Sequence, residues 1–144
     1  NGTINILRTL DSKVDLRQMF TEKYGVQQCV LAIQEALMRE HHAELDEQMI
    51  HNFLRYGTVG IDEELERTMR LTASDYAKRI FRKLREHGYD PRIMKLYVVG
   101  GGGCLLKNFF PIDPGRIIIN SDICATAKGY EYMADVQNVT GGVK

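Results

Sequence analysis

Apolar positions recur along this chain at two different periods, and the period changes mark the elements. Between residues 26 and 39 (VQQCVLAIQEALMR) Val26, Cys29, Val30, Ile33, Ala36 and Leu37 repeat at intervals of three and four, which gives a helix one apolar face. His41 and His42 end it with a polar break. A shorter helical stretch, residues 43–56, closes at Gly57, and "GTVG" (57–60) reads as a turn. Asp62 then has the chemistry of an N-cap, with Glu63 and Glu64 in the first turn where the helix dipole favours acid. The helix it opens runs to about residue 86. Leu65, Met69, Thr72, Ala73, Tyr76, Ala77, Ile80, Phe81 and Leu84 form its stripe, and Gly88 and Pro91 follow as stop signals. Its other side carries Arg67, Arg70, Lys78, Arg82 and Arg85, expected as a solvated face.

Residues 3–10 (TINILRTL) read as a strand, Asp11-Ser12 as a turn and residues 14–20 as a short helix. Residues 92–99 and 116–119 (RIII) are strands without alternation, expected to be buried on both faces. Between them lies a short helix over residues 104–109. A final helix is expected over residues 123–136, capped by Ser121 or Asp122, with "NVTGGVK" as a frayed tail. Strand, glycine turn, helix, strand and helix after a long helix is the order of an α/β domain. The chain opens on Asn1-Gly2, a hairpin-turn dipeptide with no strand before it, so it reads as a piece of a longer protein.

With 144 residues, 44% hydrophobic and 26% charged, the composition is that of one globular domain. Lys plus Arg equals Asp plus Glu at 19 each, so direct nucleic-acid binding through a strongly basic surface is not expected. No apolar run is long enough to span a membrane. The three cysteines, Cys29, Cys104 and Cys124, lack metal spacing and read as buried thiols of a reducing cytoplasm. The adjacent His41 and His42 point in different directions on a helix and read as exposed polar residues.

The candidate chemistry sits in "KLYVVGGGGCLLKNFF" (95–110), where four glycines follow an apolar run. A Walker-type loop needs Lys-Ser or Lys-Thr after its last glycine, and Cys104-Leu105 stands there instead. A dinucleotide fingerprint begun at Gly100 places Leu105 where the sixth-position glycine belongs. Two readings stay open: a slack structural loop, or a backbone platform on which a ligand lies against the peptide plane at a helix N-terminus.

Together with "IIINSDICATAKGYEYMA" and the long preceding helix, this segment resembles the C-terminal lobe of the actin-like ATPases, and is similar to the bacterial ParM/StbA-type plasmid-segregation actins. The opening "NGTINILRTLD" resembles the strand after their second phosphate turn. The resemblance covers nearly the whole chain and implies the following. The fold is the nucleotide-binding lobe of the actin-like, ribonuclease H-like α/β fold, helix-rich and lacking its first central strands, with residues 40–62 a small helical insertion. Gly100, Gly101, Gly102, Gly103 and Cys104 contact adenosine and ribose, residues 44–56 form the other wall of the adenine pocket, and Ala125, Ala127 and Gly129 lie on the closing helix. The intact parent binds ATP or ADP with Mg2+ between two lobes, self-associates into filaments and moves plasmid-like DNA through an adaptor in the cytoplasm. Its partners are further copies, its own N-terminal lobe and that DNA-binding adaptor.

The chain departs from the family in having no acidic glycine-rich phosphate hairpin, and Val14 stands where the family often has glycine. By the resemblance, residues 3–10 form an edge strand, residues 95–99 and 116–119 pair in parallel, and the open side of residues 95–99 is filled by a separate segment of the same protein, a strand swapped from another copy, or a rearranged 3–10 strand. The alternative is a non-enzymatic adaptor module whose glycine turn is structural; within the first class, a sugar-kinase-like or cell-shape actin is a further possibility.

Overall fold

The computed structural model describes residues 2–11, 13–120, and residues 122, 124, 125, 128 and 131. It is a mixed α/β chain. In order, its elements are β1 (Ile4–Leu10), β2 (Lys13–Glu22), α1 (Val26–His41), α2 (Glu47–Tyr56), α3 (Glu63–Glu86), β3 (Leu96–Val99), α4 (Gly102–Phe109) and β4 (Ile117–Asn120).

Helices α1 and α3 form where the apolar stripes require. Cys29, Val30, Ile33, Ala36 and Leu37 of α1 are buried, against Met69, Ala73, Tyr76, Ala77, Ile80, Phe81 and Leu84 of α3. Asp62 caps α3 by accepting from the backbone N–H of Glu64 and Leu65. The basic residues named on its outer side are exposed. Ile50, Phe53 and Leu54 of α2 and Leu105, Leu106 and Phe109 of α4 complete the same core cluster. Helix α2 begins four residues later than its apolar spacing predicts. Asp46 explains this, because its carboxylate accepts from Gln48 N–H and starts the helix there.

His41 is half-buried, a correction to its reading as an exposed residue. Its Nε2 lies 2.7 Å from Thr68 Oγ1, which also donates to Glu40. His42 is exposed and ends α1 in the left-handed conformation, with φ of 53°.

Residues 14–20 are not a helix. They belong to β2, which pairs antiparallel with β1, Ile4 opposite Glu22 and Leu10 opposite Lys13. Asp11, with φ of 49°, supplies the tight turn. The segment carries no strong helical period, and its β-branched and aromatic Val14, Phe20 and Thr21 accept a strand once β1 offers backbone partners. The register shifts between Leu7 and Thr9, whose partners are Met19 and Val14. Only the base of the hairpin is docked. Ile4 and Ile6 pack on the core, Phe20 stacks on His87 at 4.0 Å, and His87 Nε2 meets Glu22 at 2.7 Å. Toward the turn, Leu10 is 72% and Leu16 76% exposed.

Strands β3 and β4 pair in parallel, as expected, Leu96 opposite Ile117 through Val99 opposite Asn120. Both strands differ from expectation at their ends, most of all β3: residues 90–94 form a turn fixed by Asp90, and the strand starts at Leu96. Nor are the strands buried on both faces. Leu96, Val98, Ile117 and Ile119 face the core, while Tyr97, Val99 and Ile118 are exposed. An apolar run without alternation records the composition of both faces, and one of these faces has no described layer over it.

The β1–β2 and β3–β4 pairs are separate two-stranded sheets. The expected filling of the open side of β3 is therefore absent among the described residues. Of the expected final helix, Ala125, Lys128 and Glu131 are helical; Ser121, Ala127, Gly129 and the tail lie outside the described residues, as does Asn1.

Candidate functional site

The glycine turn lies at the carboxyl end of β3, between the two parallel strands' shared edge and the start of α4. Carboxyl ends of parallel strands are where open α/β sheets take ligands. The four glycines have three different roles there. Gly100 adopts φ of +89°, a conformation that side chains strain, so it makes the reversal out of β3. Gly103 lies against β4: a β-carbon there would stand 2.8 Å from Ile119 Cγ2 and 3.7 Å from the Asn120 carbonyl oxygen. Gly101 and Gly102 have nothing within 4 Å of the β-carbon position and no positive φ. The fold thus accounts for Gly100 and Gly103, while the middle pair leaves an open backbone surface.

A first helical turn presents backbone N–H groups that have no intrahelical acceptor. In α4 these belong to the glycines and Cys104, and Gly103 N–H donates back to the Gly100 carbonyl at 3.0 Å. Cys104 is half-buried, Cys124 is exposed, and only Cys29 is fully buried, which corrects the expectation of three buried thiols.

The same edge carries groups that sequence reasoning did not assign to the site. Asn120 Oδ1 accepts from Asp122 N–H at 3.0 Å. Asp122 Oδ1 accepts from Cys124 N–H at 2.9 Å, the capping role expected of it. Its other oxygen meets Lys128 Nζ at 2.6 Å, and this hydrogen bond, with the Cys124 N–H, holds the carboxyl below its ordinary range. Asp122 had a sequence signal as a helix cap, whereas Asn120 and Lys128 had none beyond their position after or near the end of β4.

Helix α4 is fixed from its far end. Asn108 Nδ2 donates to the carbonyls of Leu54 and Arg55, closing the C-terminus of α2. Arg70 donates to the Gly57 carbonyl at 2.6 Å and to Glu66, and its guanidinium lies 5.7 Å from the Phe53 ring and 5.6 Å from the Phe109 ring. Neither of two shallow depressions on the molecule joins residues 44–56, expected as a second wall, to the glycines. A shallow groove runs along α2, lined by Asp46, Gln48, Met49, Asn52, Tyr56, Thr58 and Val59, with no glycine of the turn. A second depression, around Tyr89, lies at the opposite end of β3, where Arg92 is engaged by Asp90 at 2.7 Å.

Among the described residues, no group of three or more His, Cys, Asp or Glu side chains could hold a metal ion. No described helix is long and apolar enough to cross a membrane.

The different roles of the glycines make a direct test. Gly103→Ala is expected to cost about 1–3 kcal/mol, the range for overpacking a filled core, because Ile119 is a stiff β-branched neighbour. Gly101→Ala meets open space and is expected to leave the urea midpoint nearly unchanged. Equal midpoints for the two variants would contradict the packing of α4 on β4. No family model, no curated protein and no solved structure matches this chain.

Proposed function

We propose that this chain is the ATP-binding C-terminal lobe of a bacterial actin-like, filament-forming ATPase of the plasmid-segregating type. The observation that carries this reading is the open glycine pair, Gly101 and Gly102, at the carboxyl edge of a parallel β3–α4–β4 unit. Their bare peptide groups offer a flat surface to a purine or ribose, with the start of α4 behind it. Cys104 borders that surface from the first turn of α4.

The adenosine end of a nucleotide fits these residues. For the phosphates and their Mg2+ no matching element is present, since the sequence contains no acidic glycine-rich phosphate hairpin. Phosphoryl transfer depends on positioned metal and phosphates, so any hydrolysis belongs to the parent protein and not to these residues. The reading also requires a further strand against the open side of β3, and no described residue takes that place.

Calorimetric titration of ATP with Mg2+ into the full-length protein tests the reading. Gly102→Val is expected to weaken binding at least about tenfold, or about 1.4 kcal/mol, with an unchanged circular dichroism spectrum. The 144-residue chain alone is expected to hydrolyse no ATP. Unchanged affinity in the folded variant, or robust hydrolysis by the chain alone, would overturn it.

A second reading, a non-enzymatic interaction module, is favoured by the exposed apolar side chains of the hairpin, Leu7, Leu10, Val14, Leu16 and Met19. It predicts no nucleotide binding in the full-length protein and a partner lost on Leu10→Asp with Leu16→Asp.

A further inference from the structure

We draw no further inference here: the strongest candidate, the apolar outer surface of Tyr97, Val99 and Ile118 beside the open edge of β3, has nothing in the structure to show what covers it.

Discussion

Phe53→Ala is expected to remove about 3–5 kcal/mol of stability, the range for deleting a buried aromatic ring. Phe53 has no exposed surface and is among the largest fully buried side chains. Its ring lies 4.9 Å from that of Phe109, so its loss opens a cavity between α2 and α4. It also removes one of the two rings beside which the Arg70 guanidinium is held. Small domains have only about 5–15 kcal/mol in total, so the variant should melt roughly 10–20 °C lower. Phe53→Leu keeps most of the volume and should cost under about 1.5 kcal/mol. Thermal and urea unfolding measure both. A loss below about 1 kcal/mol for the alanine variant would mean that the core is not organised around this ring.

Alkali is expected to destabilise the protein through two groups at the α1–α3 interface, Cys29 and Tyr76. Burial pushes the Cys29 thiol from 9.0 up to about 12, with Arg79 opposing weakly. Burial also raises the Tyr76 phenol, helped by neighbouring Cys29 and Tyr24. The Tyr76 hydroxyl donates to the Gly25 carbonyl at 2.8 Å, a bond that the phenolate cannot make. Both groups are neutral in the folded state. An unfolded chain gives up these protons first, so above pH 9 the native state binds more protons than the unfolded state. Stability is then fully present below about pH 9 and falls as pH rises toward 12. The limiting slope is about 1.4 kcal/mol per pH unit for each group, or roughly 3–4 kcal/mol by pH 11. Urea midpoints at pH 8, 9, 10 and 11 measure this, and Cys29→Ala should flatten the first part of the decline. A constant midpoint from pH 8 to 11 would refute the burial of the pair.

The legible parts of this fold were those with a strong internal period. The α3 stripe from Leu65 to Leu84 and the Asp62 cap could be read from spacing, because each depends on residues a few positions away. The parallel pairing of β3 with β4 was expected from the family resemblance and not from spacing alone. Strand β2 was not legible: residues 14–20 carry little alternation, and only their pairing with β1 makes them extended. The exposure of Tyr97 and Val99 was also hidden, since an apolar run does not record what lies over each face. At the candidate site, four identical letters concealed different demands. Gly103 is constrained by Ile119, sixteen positions away, and Gly100 by its own backbone angle. Asn108 and Arg70, which hold α4 and the end of α2, act through backbone carbonyls that have no side-chain signature.

The one-ended docking of the β1–β2 hairpin decides which of its ends opens first. Hairpins commonly zip from the turn, but here the turn end has solvent on both sides and the open end is clamped. Amide exchange should therefore run as a gradient, fastest around Leu10 and Lys13 and slowest near Ile4 and Glu22, where Phe20 and His87 stack. The turn becomes the fraying end, and the hairpin's persistence depends on a residue at the end of α3, sixty-five positions from Glu22 in the chain.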